Sequence, residues 1–160
     1  MTHFEALLEA LASQGVSFVI IGGLAATLHG SARLTNDLDV AYERTAENIE
    51  RLAAALAPLE PYLRGAPPGL PFRFDVPTIR RGLNFTLRTN AGDVDVLGEV
   101  TGIGGYDAVE RESVAVELLG RTYKMLALDA LIRAKRAAGR AKDLEVIAEL
   151  EALREEREHR

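Results

Sequence analysis

At 160 residues, with 48% apolar and 27% charged side chains, the chain has the length of one domain and the composition of an ordinary water-soluble globular protein, which excludes disorder and low complexity. The absence of cysteine excludes disulfides, thiolate nucleophiles and cysteine-held zinc, and makes a reducing cytoplasm the expected compartment. Acids outnumber bases 24 to 19, a net charge of −5, which argues against broad electrostatic adhesion to nucleic acid; no apolar run approaches the ~18 residues of a membrane span, so no membrane partner is expected.

The start of the chain, Met1 to Glu9, carries acids and no Lys or Arg, unlike a signal peptide. Phe4, Leu7, Leu8 and Leu11 repeat at helical spacing, with Gln14-Gly15 as a stop, and Ser17 to Ile21 follows as a buried strand ending in Gly22-Gly23. Leu24 to His29 reads as a short helix closed by Gly30, Asp37 to Tyr42 as a strand, and Thr45 to Ala57 as a helix capped by Thr45. All 6 prolines lie between Pro58 and Pro77, which predicts one long irregular loop. Leu83, Phe85 and Leu87 then alternate with polar residues, Asn90-Ala91-Gly92 supplies a turn, and Val94, Val96 and Leu97 form the return strand of a hairpin. Gly102, Gly104 and Gly105 read as a loop, Ser113 to Leu118 as a further strand, and Ala127 to Ala138 and Ala141 to Glu158 as helices parted near Gly139. No internal repeat is present. Seven basic residues between Arg121 and Asp143 face only Asp129 and Asp143, so one cationic stretch sits in an acidic chain.

The strand Asp37-Leu38-Asp39-Val40 sets two carboxylates on one face, because side chains two apart on a strand share a side. Adjacent carboxylates repel, so a fold keeps such a pair on a solvated rim or around a divalent cation. A strand ending in Gly22-Gly23 at a helix start lets a phosphate approach free backbone N–H groups. In the hairpin, Gly92-Asp93-Val94-Asp95-Val96 offers two more acids on one face. Asp95, flanked by Val94 and Val96, is preferred, while Asp93 abuts the turn. On a helical wheel Lys135 falls among Leu128, Leu131 and Ile132, and Asp143 among Val146, Ile147 and Leu150. These two charges either pair structurally between the helices or face the cleft. His29, without a second histidine at ligand spacing, is read as structural.

The run from Ile20-Ile21-Gly22-Gly23 to Asp37-Leu38-Asp39 resembles the polymerase β nucleotidyltransferase superfamily, in which an apolar strand and Gly-Gly or Gly-Ser precede an Asp-apolar-Asp strand. With His29-Gly30, Arg33 and Thr35 between, it looks most like the AbiEii-type nucleotidyltransferases, a group that includes toxins of toxin–antitoxin and phage-defence systems. The resemblance implies an α/β (α+β) fold with a small mixed sheet, helices packed on it and a C-terminal helix pair, divided as core 1–125 and helix pair 126–160. It implies Asp37, Asp39 and Asp95 as catalytic carboxylates holding two Mg²⁺ ions, with Mn²⁺ as the alternative, in a cleft beside Gly22-Gly23 at the edge of the sheet. Gly22, Gly23, Arg33, Thr35, Lys135, Arg140 and Asp143 would serve the nucleotide, Thr35 through a hydroxyl that braces the acid strand. Gly23 stands where many members of the superfamily have a phosphate-touching serine. The expected partners are an NTP, an acceptor that is RNA, protein or a small molecule, and an antitoxin or a second copy. Two competing readings are a non-catalytic member that binds nucleotide or a partner, and a sugar-nucleotide transferase using the Asp-x-Asp pair.

Overall fold

The computed structural model describes residues 2–159 and is a mixed α/β fold. Its first helix, α1 (Phe4–Ser13), buries Leu7, Leu8 and Leu11 on one stripe. The four residues of β1 (Phe18–Ile21) are all buried, and α2 (Gly22–His29) follows with no intervening loop. After β2 (Asp37–Tyr42), α3 (Ala46–Leu56) is capped by the Thr45 hydroxyl, which accepts from the Asn48 amide, and buries Ile49, Leu52 and Leu56. Asn48 itself is buried with its amide side chain fully used: it accepts from the Ser17 N–H and donates to the carbonyls of Ser17 and Glu43.

The Pro-rich stretch is not the structureless loop that its composition predicts. A 3₁₀ turn at Ala57–Leu59 leads to a two-residue strand, β3 (Tyr62–Leu63), and the stretch ends inside α4 (Val76–Arg81), capped by Asp75. Proline is compatible with both, since Pro61 precedes an edge strand and Pro77 lies in the first turn of a helix, where a missing N–H costs nothing. The hairpin forms as expected, from β4 (Asn84–Thr89) and β5 (Gly92–Leu97), although β5 begins two residues earlier than its apolar residues suggest. Gly104 and Gly105 also depart from the expected loop: β6 (Glu99–Val100) and β7 (Gly104–Gly105) pair antiparallel, and α5 (Tyr106–Arg111) follows.

Beyond α5 come β8 (Ser113–Leu118), β9 (Arg121–Leu126), α6 (Leu128–Ala138) and α7 (Leu144–Glu158). The cationic stretch therefore starts on a strand, which its charges concealed. Gly139 closes α6 in the left-handed region at φ 63°, and the turn Ala141–Asp143 is 3₁₀ rather than the first turn of the last helix.

Seven strands form one sheet in the order β3-β4-β5-β2-β1-β9-β8, larger than expected by the unanticipated β3 and β9. β1 runs antiparallel to β2 and parallel to β9, and β2 runs parallel to β5. Leu38, Val40, Val94 and Val96 are fully buried on one face of the β2–β5 pair, leaving the intervening acids on the other. Helix α2 lies on the acid face, packed on α6, which packs on α7; α1 packs on α3, and α3 on α4. Among the described residues no helix is long and apolar enough to cross a membrane.

His29 joins three of these elements, as a structural histidine should. Its Nε2 is 2.8 Å from the Leu126 carbonyl at the end of β9, and the Arg157 guanidinium of α7 lies 3.1 Å from Nδ1 and 2.9 Å from the His29 carbonyl. Nε2 therefore donates and Nδ1 accepts, a pairing open only to the neutral ring. Burial, helped by the Arg157 charge, lowers the pKa below its ordinary value of 6.5 against the opposing carbonyl bond. The unfolded chain takes up this proton first, so the stabilisation is complete above about 6.5 and is lost as the pH falls below it. Urea titrations at pH 7.5 and 5.5 should accordingly show a smaller acid loss of stability in His29→Gln than in the parent protein.

Candidate active site: a carboxylate cluster at the start of helix α2

The parallel register of β2 and β5 sets Asp37 opposite Asp93 and Asp39 opposite Asp95, so four carboxylates share one face. They rise from the middle of the seven-stranded sheet, because β2 is its central strand, and not from its edge. Asp37, Asp39 and Asp95 each bring an oxygen within 4.8 Å of the others. Asp93, expected as a turn acid, is instead part of the same array.

Asp39 lies deepest. Its Oδ1 is buried with no hydrogen-bond partner. Burial first, then the charges of Asp95 and Asp37 and a hydrogen bond with Asp95, raise its pKa to about 7, against a smaller opposing pull from Lys135. The glycines at the start of α2 are fitted to this packing. Gly22 has φ 65°, and a β-carbon there would collide with the Asp39 carboxylate; a β-carbon on Gly23 would collide with the Thr35 hydroxyl. Thr35 in turn donates to the Asp37 carbonyl at 3.3 Å. Space that a side chain at position 23 would need is thus filled by the Thr35 side chain, which sets a hydroxyl beside the first turn of α2.

Two adjoining cavities flank the Asp39–Asp95 pair, and both are lined by Asp39, Asp95, Lys135 and Arg140. One, of about 260 Å³, lies toward Gly23 and has a cationic wall of Arg33, Lys135, Arg140 and Lys142. The other, of about 400 Å³, lies toward Gly22 and is more apolar, with Leu97, Val100 and Leu131 beside Asn84, Glu99 and Thr101.

Lys135 satisfies both roles that its position on the helix left open. Its Nζ is 3.6 Å from Asp143 Oδ1, yet the side chain also lines both cavities and its charge reaches Asp39. Asp143 is buried, which alone would raise its pKa, but the net direction is downward because Arg140 bonds it at 2.7 and 3.3 Å and Lys135 and Lys142 add their charges. Arg33 sits on the rim of the smaller cavity with its guanidinium turned to Glu145 at 3.1 Å and Glu149 at 3.7 Å, both on α7.

Sequence reasoning missed Arg64, which follows β3 at the end of the sheet. Its Nη2 lies 2.7 Å from Asp95 Oδ1, Nε 3.4 Å from Asp93 Oδ2 and Nη1 3.7 Å from Asp37 Oδ2. The usable signal was the pair Tyr62-Leu63 directly after Pro61, an edge strand too short for periodicity to reveal.

The donor set suits a hard divalent cation. Asp37, Asp39 and Asp95 offer only oxygen donors, and an orphaned buried carboxylate oxygen amid like charges is the condition such an ion would relieve. The N-terminus of α2 beside them presents unpaired N–H groups of the kind that bind phosphate.

No family model matches the sequence, and no curated protein does. Among solved structures, the chain is similar to a Thermotoga maritima protein assigned as a nucleotidyltransferase, with TM-score 0.50 and 15% identity over 100% of this chain and 97% of that one. It is also similar to ANT(2″)-Ia in complex with adenylyl-2″-tobramycin, with TM-score 0.50 and 16% identity over 96% of this chain and 95% of that one. The chain therefore has the fold of nucleotidyltransferase structures across almost its whole length.

Asp39→Asn removes one charge from the crowded array and should raise the melting temperature in EDTA at pH 8. Lys135→Met should lower it, because Asp39 and Asp143 lose a counter-charge, with a stability loss of about 1–3 kcal/mol given that Arg140 still holds Asp143. Thermal melts of the two variants beside the parent protein check both signs.

Proposed function

We propose that the protein is a Mg²⁺-dependent nucleotidyltransferase that transfers NMP from an NTP to an acceptor hydroxyl. The observation that carries this reading is the convergence of Asp37, Asp39 and Asp95 beside the Gly22-Gly23 start of α2, within a fold shared with nucleotidyltransferases. Asp37, Asp39 and Asp95 would hold two Mg²⁺ ions, with Mn²⁺ as a substitute. When bound, these supply Lewis-acid polarisation of the phosphates and make the acceptor hydroxyl more acidic.

The chain's own groups divide the remaining work. Gly23 and Lys135 line the cavity with the cationic wall, where the backbone N–H groups of the first turn of α2 and the Lys135 ammonium would offset charge on the β- and γ-phosphates, and Arg140 and Lys142 extend that wall. The acceptor oxygen forms a bond to the α-phosphorus, the bond from that phosphorus to the bridging oxygen breaks, and pyrophosphate leaves with the bond's electron pair. Asp95, at the boundary of both cavities, is placed to take the acceptor's proton. Asp143 orients Lys135 and Arg140 rather than touching substrate. Thr35 braces the acid strand. Arg33 would serve the triphosphate by leaving Glu145 and Glu149.

The acceptor is an RNA end, a protein hydroxyl or a small molecule. The third has a parallel in ANT(2″)-Ia, whose structure holds an adenylylated tobramycin. The AbiEii-type resemblance in the run from Ile20 to Asp39 extends the proposal to a cytoplasmic toxin with an antitoxin or a second copy as partner, and to a division into a core of residues 1–125 and a helix pair of residues 126–160. The non-catalytic alternative, a nucleotide-binding member, is favoured by one observation: Arg64 already pairs with Asp95, Asp93 and Asp37.

Incubation with Mg²⁺, each NTP and candidate acceptors, followed by mass spectrometry and a pyrophosphate assay, tests the reaction. Asp37→Asn and Asp39→Asn should each lower pyrophosphate release by about a hundred- to a thousandfold, on the scale of losing a central electrostatic group. Equal activity in EDTA would overturn the metal-dependent reading. ATP with Mg²⁺ should also raise the melting temperature, by about 2.7 kcal/mol of stabilisation at a hundred times Kd, and EDTA should remove the metal-dependent part.

A further inference from the structure

Among the described residues, Arg64 is the basic side chain that enters the carboxylate array from the outer edge of the sheet. The backbone puts it there: β3 pairs with β4, the Arg64 N–H donates to the Thr86 carbonyl, and Thr86 lies opposite Asp95. One row across the sheet therefore runs Arg64, Thr86, Asp95, Asp39, and the long arginine side chain reaches over threonine to the acids beyond. The guanidinium makes one well-formed bond to the array, Nη2 to Asp95 Oδ1 at 2.7 Å, while the same Nη2 also donates to the Leu87 carbonyl at 2.9 Å. The approaches to Asp93 and Asp37, at 3.4 and 3.7 Å, are ion pairs without hydrogen-bond geometry, and the buried Nε has no hydrogen-bond partner. Its single positive charge is spread over three acids without matching the fork of any of them.

We propose that Arg64 is the resident counter-ion of the acid array, holding Asp37, Asp93 and Asp95 together without metal and giving up Asp95 when a divalent cation binds. The inference rests on the metal-binding reading of the site and adds a residue that sets how tightly the metal is held. Three observations make the exchange feasible. Arg64 and the cation would share two ligands, Asp95 and Asp37, of which Asp95 is the one that the arginine hydrogen-bonds. The arginine is carried by an outermost strand of only two residues, so its backbone has few tethers. Asp39, the acid that Arg64 does not reach, keeps its buried Oδ1 unpartnered, which leaves a ligand in place for the incoming ion. A guanidinium and a divalent cation on one carboxylate repel, so each weakens the hold of the other.

The test is the affinity of Mn²⁺ alone, by calorimetry or electron paramagnetic resonance, for wild type, Arg64→Met and Arg64→Lys, with melting temperatures in EDTA. Arg64→Met should bind Mn²⁺ at least about tenfold more tightly, roughly 1.4 kcal/mol, and melt lower in EDTA. Its melting temperature should rise more on adding Mn²⁺ than that of wild type. Arg64→Lys, which keeps the charge and loses the fork, should fall between the two. A residue with only a structural role would weaken metal binding when removed, so Mn²⁺ affinity that is unchanged or weaker in Arg64→Met overturns the proposal. In that event, loss of Mn²⁺ binding in Asp37→Asn would leave the metal site standing without Arg64's part in it. If no variant and no wild-type sample binds Mn²⁺, the metal reading falls together with the proposal.

Discussion

The register of β2 on β5 is the constraint from which the site follows. Leu38, Val40, Val94 and Val96 are fully buried on one face, and a slip of one residue would expose them while driving aspartates into the core. Apolar burial of this kind stabilises by about 1.5–3 kcal/mol per side chain. The repulsion it must overcome is of similar size, since two unit charges 4 Å apart interact by about 1 kcal/mol in water and about 4 kcal/mol at an effective dielectric of 20. The core on one side of the strands thus enforces the crowding of acids on the other.

Positive charge then arrives from three separate parts of the chain. Arg64 comes from the outer strand, Lys135 from α6, and the partial charge of unpaired N–H groups from the first turn of α2. Lys135 is itself held by Asp143, which Arg140 also holds, so the cationic wall is built from mutually braced groups rather than free side chains. Arg33 belongs to another network, with Glu145 and Glu149, that ties the loop after α2 to α7.

What the sequence made legible were features of local origin. Period-two alternation placed Asp37 and Asp39 on one face, the flanking valines singled out Asp95, and the helical wheel turned Lys135 inward; these are properties of a few consecutive residues. What stayed hidden came from pairing between distant segments. β3 has two residues and no pattern, so Arg64 looked like one more loop cation. Asp93 looked like a turn residue because its role depends on facing Asp37 across strands, which no single segment reveals. β9 alternates, with Tyr123 and Met125 buried, but Arg121 and Lys124 pair with Glu9 and Glu110 at its surface and gave the stretch a basic look.

The fit between Gly22 and Asp39 bears on how this chain can change. Any side chain at position 22 would have to pass through the Asp39 carboxylate and adopt a left-handed backbone as well, so the two positions are not independent variables. Losing the acid removes only the collision, since the left-handed backbone at position 22 still favours glycine, whereas a chain keeping the acid has no substitute for it. Glycine at 22 is thus tied, in a residue that has no side-chain chemistry of its own, to an acid on the neighbouring strand.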